Sequence, residues 1–141
     1  MPATAMPKTL EKIRVLVVED HPETRLALSK GLEARGAIVG SVDNADEALR
    51  EVDDFVPDVI VSDIAMPEQD GFQFISELRS KLQRNYDVPT PAVAVTGLPE
   101  WVVQQHRRRG VFDVILRKPC ELQTLTSVVA SLARRSTVAH T

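Results

Sequence analysis

The chain has 141 residues, a formal net charge of −3 at pH 7 and 43% hydrophobic residues. This length suits one domain with a single core. The mild acidity disfavours a nucleic-acid-binding domain, and no apolar run approaches the roughly 20 residues of a membrane span. A lone cysteine, Cys120, excludes an internal disulfide and is typical of a reducing compartment, so we expect a cytoplasmic protein.

The periodicity of the chain divides it into three parts. Residues 1–12 show little periodicity and lack the apolar centre of a secretory signal, so we expect a flexible leader. Residues 13–135 hold the pattern of a folded domain, and residues 136–141 form a tail too short for a second one.

Short β-branched runs alternate with segments of helical spacing along the domain. The predicted strands cover 13–18, 37–42, 58–62, 91–95 and 111–116. The predicted helices run from Pro22 to Gly36 (apolar side Leu26, Leu28, Leu32, Ala34), from an N-cap at Asn44 (Ala45, Ala48, Leu49, Val52), over 72–82 (Phe72, Ile75, Leu78, Leu82), over 99–109, and over 122–135 (Leu122, Leu125, Val128, Val129, Leu132). This alternation predicts a doubly wound α/β fold with a parallel sheet and right-handed crossovers.

The third strand ends at a carboxylate. The apolar run from Val59 stops at Asp63, and Pro67 and Asp70 then break the chain into a loop before the next helix. Open α/β sheets bind ligands at the carboxyl ends of their strands. We therefore predict Asp63 as the reactive group of the protein.

Further polar residues follow the other strands, namely Glu19, Asp20, Thr96 and Lys118. In a parallel sheet these ends share one edge, so the side chains would meet there. Two like charges about 4 Å apart repel by about 4 kcal/mol at an effective dielectric near 20, so a cluster of three carboxylates needs a cation, a proton or wide separation. Mg²⁺ fits best, since it takes one or two carboxylates together with waters and a phosphate oxygen.

Four motifs at these strand ends carry a family resemblance. They are Val17-Val18-Glu19-Asp20, Ser62-Asp63-Ile64-Ala65-Met66-Pro67 with Asp70-Gly71, Val95-Thr96-Gly97, and Lys118-Pro119. Together they resemble the receiver domain of bacterial two-component response regulators, over about Ile13 to Leu132. The resemblance implies a flavodoxin-like (βα)5 fold with strand order 2-1-3-4-5.

The resemblance also implies a role for each site residue. Asp63 would be the phospho-acceptor, attacking a phosphohistidine on a histidine kinase or a histidine phosphotransfer protein. Mg²⁺ would be held by Glu19 (through water), Asp20, Asp63 and the backbone carbonyl of Ala65. Lys118 would pair with one phosphoryl oxygen and the Thr96 hydroxyl with another, and Lys118-Pro119 is expected to be a cis peptide.

The predicted function is a stand-alone receiver that is not an enzyme in the ordinary sense. Phosphorylation would switch a protein-binding surface on helix four, strand five and helix five, with neither nucleic acid nor membrane as a partner. Trp101 is either a packing residue or an exposed anchor for a partner, and Arg107-Arg108-Arg109 is typical of a solvated face.

Three rival functions stay open at this stage. A Mg²⁺-dependent phosphatase with an aspartyl-phosphate intermediate would often carry a second Asp where Ala65 stands. A nucleotide-binding module would need a glycine-rich turn or P-loop, which Glu19-Asp20-His21-Pro22 does not provide. A degenerate receiver acting as a scaffold is kept open by Ile115, which occupies the position where many receivers carry a switching aromatic.

Overall fold

The computed structural model describes residues 9–64, 71–83 and 90–139. Within them, five parallel strands form one sheet in the order β2-β1-β3-β4-β5. The strands are β1 (Arg14–Val18), β2 (Ile38–Val42), β3 (Val59–Ser62), β4 (Ala92–Thr96) and β5 (Val114–Arg117), and the helices are α1 (Pro22–Ala34), α2 (Ala45–Glu51), α3 (Gly71–Gln83), α4 (Glu100–Arg109) and α5 (Leu122–Ala139). The predicted flavodoxin-like fold and strand order are confirmed.

The central strands are buried on both faces, which explains their continuous apolar sequences. Alternate residues of β1 and β3 enter two cores: Leu16 and Ile60 join α2, α3 and α4 on one face. Val15 and Val59 join α1 and α5 on the other face. The sheet is therefore a rigid layer between two helical layers, and its carboxyl edge is held in a fixed register.

Several helix ends follow local sequence signals. Pro22 occupies the first position of α1, and the Asn44 side chain accepts a hydrogen bond from the Glu47 N–H at the start of α2. Gly36 (φ 99°), one residue after the C-cap of α1, and Gly110 (φ 66°), the C-cap of α4, adopt left-handed backbone conformations. The predicted start of α1 at Pro22 and the predicted N-cap of α2 at Asn44 are confirmed.

The predicted apolar side of α1 is right for two of its four residues and wrong for the other two. Leu32 is buried and Leu28 is half-buried, but Leu26 is 56% exposed and Ala34 is also exposed. The buried side also includes Ser29, whose hydroxyl donates to the Arg25 carbonyl and so needs no outside partner. In α3 and α5 the predicted pattern agrees better, with Ile75, Leu78, Leu82, Leu125, Val129 and Leu132 all buried; the Phe72 side chain lies outside the described part.

Two predicted boundaries differ from the observed ones by about three residues or more, and the others agree within one or two residues. Helix α5 continues to Ala139, beyond the predicted end at residue 135. Strand β5 begins only at Val114, because the preceding Asp113 uses its carboxylate to accept from the Ala92 N–H at 2.8 Å and from Arg79 at 2.6 Å. Asp113 therefore ties the start of β4 to α3 instead of lying inside the strand.

The end of the predicted leader packs onto the domain. Leu10 is fully buried in the core cluster that α1 and α5 form with the sheet. Its N–H donates to the Arg35 carbonyl at 2.9 Å. Residues 1–8 lie outside the described part of the chain. Among the residues that are described, no helix is both long and apolar enough to span a membrane.

Candidate functional site

Three carboxylates meet at the carboxyl edge of the sheet. Glu19 follows β1 and is 2% exposed, Asp63 follows β3 and is 8% exposed, and Asp20 is exposed to solvent. One carboxylate oxygen from each residue lies within 4.8 Å of the other two. The structure thus brings together the three acidic side chains that the sequence placed at strand ends.

Strand pairing holds two of these acids side by side. Val18 is in register with Ser62, and the Asp63 N–H donates to the Val18 carbonyl at 3.1 Å. Glu19 is the next residue after Val18, so its side chain starts directly beside Asp63. The spacing of the two carboxylates is therefore set by the sheet.

Further hydrogen bonds fix Glu19 from the side of α1. Its carboxylate accepts from the His21 N–H at 3.2 Å, and its backbone carbonyl accepts from the Arg25 guanidinium at 2.9 Å. His21 also caps α1, since its Nδ1 accepts from the Thr24 N–H at 3.3 Å. The sequence did not predict that His21 caps α1 or that Arg25 bonds the Glu19 carbonyl. The cap had a sequence signal, because a residue before a proline at the first helical position is a typical N-cap.

Lys118 supplies the positive charge of the cluster. Its Nζ donates to Glu19 Oε1 at 2.9 Å and to Asp63 Oδ2 at 3.5 Å. The Lys118–Pro119 peptide bond is cis, as the resemblance implied. Burial by itself lowers the pKa of Lys118, but the hydrogen bond to Glu19 and the charges of Asp63 and Glu19 outweigh that effect and raise the pKa. Lys118 is therefore an ammonium at neutral pH.

Thr96 lies at the same edge, at the end of β4. It is fully buried, and its hydroxyl accepts from the Leu98 N–H at 3.1 Å. Its backbone carbonyl accepts from the Lys118 N–H at 2.7 Å, which holds the two predicted site residues next to each other. Ala65, the predicted backbone ligand, lies outside the described residues.

The charge of the cluster fits a hard divalent cation. Three carboxylates and one ammonium leave two formal negative charges, and Glu19 and Asp63 are too buried for water to screen them well. Carboxylate oxygens are the ligands that Mg²⁺ prefers. The donor set is therefore chemically suited to Mg²⁺, and Lys118 already neutralises part of it.

Ile115 occupies the position where the resemblance places a switching aromatic in many receivers. It is buried in the same core cluster as Val103 of α4. Phe112 is also buried in the same core cluster. The position three residues before Lys118 is thus aliphatic and packed.

The comparison with protein families shows which family this chain belongs to. A family model described as the response regulator receiver domain matches residues 15–130. The chain belongs to the response regulator receiver family. Receiver domains are phospho-acceptor signalling modules rather than classical enzymes, and they take phosphate from histidine kinases.

Known relatives of this receiver differ in length. An uncharacterized 14.6 kDa protein of Leptolyngbya boryana is 38% identical over 122 residues, which cover 86% of this chain and 91% of that protein. The regulatory protein AtoC of Escherichia coli is 32% identical over 82% of this chain, but the match spans only 24% of AtoC. The chemotaxis response regulator CheY4 of Vibrio cholerae is 27% identical, with a TM-score of 0.73 over 86% of this receiver and 98% of CheY4. Together with the geometry of Glu19, Asp20 and Asp63, the family match shows that this receiver has an acidic cluster typical of a phospho-acceptor site.

Proposed function

We propose that this protein is a receiver that accepts a phosphoryl group on Asp63 from a phosphohistidine, with Mg²⁺ as its cofactor. The observation that carries the proposal is the meeting of Glu19, Asp20 and Asp63 with the Lys118 ammonium at one edge of the sheet. Receivers take phosphate from histidine kinases, so a histidine kinase or a histidine phosphotransfer protein is the proposed donor.

Asp63 is the proposed nucleophile because of its position. Its side chain is 10% exposed and lies 3.5 Å from the Lys118 ammonium, whereas the Glu19 side chain is 2% exposed and is bonded to Lys118 more tightly, at 2.9 Å. A carboxylate oxygen of Asp63 would form the new P–O bond while the P–N bond of the phosphohistidine breaks, and the imidazole, already protonated on its other ring nitrogen, takes the P–N electron pair and leaves as a neutral group. The product is an acyl phosphate on Asp63.

The remaining site residues have proposed positioning and charge-stabilising roles. Phosphoryl transfer depends on in-line alignment and on neutralising the equatorial oxygens of the phosphoryl group. Lys118 lies close enough to Asp63 to donate to one of these oxygens, and the buried Thr96 hydroxyl is the proposed donor to another. Glu19, Asp20, Asp63 and the Ala65 carbonyl would hold Mg²⁺, which supplies positive charge for the transferred group.

Phosphorylation is proposed to act by shifting the protein between two conformations. Asp63 follows β3, Thr96 ends the neighbouring β4, and the Thr96 carbonyl accepts from the Lys118 N–H just after β5. A phosphoryl group on Asp63 would therefore act on the ends of β4 and β5. The surface of α4, β5 and α5 is the proposed binding face for a downstream protein. We propose that the receiver works in the cytoplasm as a stand-alone regulator, which suits the 91% coverage of the Leptolyngbya protein.

A phosphotransfer assay tests this function. Purified, radiolabelled histidine kinases of the host are mixed with the wild-type receiver, with Asp63→Asn, and with Asp54→Asn as a control for an exposed acid away from the site. We expect label on the wild type and on Asp54→Asn, and none on Asp63→Asn. Label that persists on Asp63→Asn would contradict the assignment of the acceptor.

A further inference from the structure

Helix α4 presents an aromatic side chain on its outer face. Trp101 is 67% exposed, more than any other large hydrophobic side chain among the described residues. Arg108 follows seven residues later, so it lies on the same face about two turns along the helix. Val103, in contrast, is buried against the sheet. Trp and Arg together are the side chains most often found as anchors in protein interfaces.

The surroundings of Trp101 are basic on an otherwise acidic chain. We define the α4–β5 surface as Glu100, Trp101, Arg107, Arg108, Arg109 and Arg117, a set with four arginines and one acid. Residues 43–58, which include α2, contain seven acids and one arginine, although the whole chain has a net charge of only −3. The two edge strands of the sheet are β2 and β5, so the acidic and basic regions lie toward opposite edges.

This surface already holds a carboxylate between two guanidinium groups. Glu100 Oε1 lies 3.1 Å from Arg107 and Oε2 lies 3.3 Å from Arg117, with all three side chains about half exposed. A hydrogen bond from Gln104 lowers the pKa of Glu100, and the charges of Arg107 and Arg117 lower it further. The local field therefore favours carboxylates, and the planar guanidinium forks suit them geometrically.

We propose that the α4–β5 surface binds an acidic segment of a partner protein. An apolar side chain of that segment packs on Trp101, and its carboxylates pair with Arg108 and with the guanidinium groups around Glu100. The inference deepens the proposed function, on which it rests for the role of this surface as the output face. The arginines form one small cluster on an acidic chain, which favours an acidic peptide over a nucleic acid.

Trp101 also provides the measurement, because it is the only tryptophan of the chain. The full-length protein is titrated with a synthetic peptide of four Glu-Leu-Asp repeats while the Trp101 emission is recorded. A matched peptide of four Gln-Leu-Asn repeats removes the charge and keeps the length and the leucines. We expect a saturable blue shift with the acidic peptide, weakened by added NaCl, and no shift with the neutral peptide.

Two charge-reversal variants locate the effect. Arg108→Glu changes the proposed surface, and Arg50→Glu makes the same change in net charge at an exposed position of α2. We expect Arg108→Glu to weaken peptide binding by about fivefold or more, as loss of about 1 kcal/mol implies, and Arg50→Glu to change it by less than about twofold. Equal effects of both variants, or no emission change at millimolar peptide, would overturn the proposal.

Other occupants give different results in the same titration. Tighter binding of a twelve-base-pair DNA duplex than of the acidic peptide would overturn the proposal in favour of nucleic acid. An emission shift that depends on protein concentration without peptide would overturn it in favour of a second copy of the chain. All titrations use protein that has not been phosphorylated, so a receiver that binds the peptide but never takes phosphate would contradict the proposed function alone.

Discussion

Lys118 and Glu19 stand 99 positions apart in the sequence, yet the Lys118 ammonium donates to the Glu19 carboxylate at 2.9 Å. They follow strands β5 and β1, which are not neighbours in the sheet. The same ammonium lies 3.5 Å from Asp63 between them. One lysine therefore spans the site and offsets the charge of two buried acids.

Replacement of Lys118 should destabilise the protein. Lys118→Ala leaves the nearly fully buried Glu19 carboxylate without its ammonium partner. Because about a third of the lysine side chain is exposed, we expect a loss of about 1–3 kcal/mol at pH 7, below the 3–5 kcal/mol of a fully buried pair. Urea unfolding measures the difference, and Lys30→Ala, at an exposed position of α1, is the control with no expected change. Equal stability of wild type and Lys118→Ala would contradict the geometry.

The contribution of Lys118 should depend on pH in one direction. Its pKa in the folded protein is raised above the ordinary 10.5. A group whose pKa is raised by folding contributes stability that is fully present below the unfolded pKa and is lost as the pH rises through the folded pKa. The difference in unfolding free energy between wild type and Lys118→Ala should therefore stay constant between pH 7 and 9 and shrink above pH 10.5. A decline that is complete by pH 9 would mean that the acids do not raise this pKa.

Added Mg²⁺ should stabilise the folded protein through the acidic cluster. A cation at about ten times its Kd adds about 1.4 kcal/mol, which corresponds to a rise on the order of 5 °C in Tm. Differential scanning fluorimetry with MgCl₂, against NaCl of equal ionic strength, measures the shift. Asp63→Asn should lose it because one of the three converging carboxylates is gone, whereas Asp54→Asn should keep it. A shift of the same size in Asp63→Asn would place the ion elsewhere.

The ion pair between Arg79 and Asp113 should contribute more to stability than an exposed pair. Asp113 accepts from Arg79 at 2.6 Å and from the Ala92 N–H at 2.8 Å, so Asp113→Ala removes an ion pair and an acceptor for a buried strand. We expect a loss of about 1–3 kcal/mol, since an unsatisfied buried donor costs about that much. Asp53→Ala breaks a pair with Lys81 in which the Asp53 side chain is 66% exposed, and should cost under about 1 kcal/mol. Chemical denaturation compares the two, and equal losses would contradict the assignment.

The sequence predicted those features of the fold that repeat along the chain. Continuous apolar runs such as residues 59–61 predicted buried parallel strands, because only a strand covered on both faces needs no polar side. The strand order came from the family motifs, since periodicity does not say which strands are neighbours. The exposed Leu26 was mispredicted because α1 packs through Leu28 and Leu32, and its leucines do not all lie on that side.

The sequence predicted that the acidic side chains and Lys118 would converge, but it did not predict all of their contacts. Strand ends placed Glu19, Asp63 and Lys118 at one edge, because parallel strands share an edge for their carboxyl ends. The cap formed by His21 and the bond from Arg25 to the Glu19 carbonyl were missed, since they depend on how α1 is oriented against β1. The burial of Leu10 was missed for a similar reason, because a single leucine outside any periodic segment gives no pattern.

The intact mass of the protein after incubation with acetyl phosphate tests the central claim most directly. With Mg²⁺ present, the wild type should gain the mass of one phosphoryl group, and the gain should disappear when EDTA is added before the donor. Asp63→Asn should remain at its original mass, while Asp54→Asn should behave as the wild type. An unmodified wild type, or an equal gain in Asp63→Asn, would contradict the account.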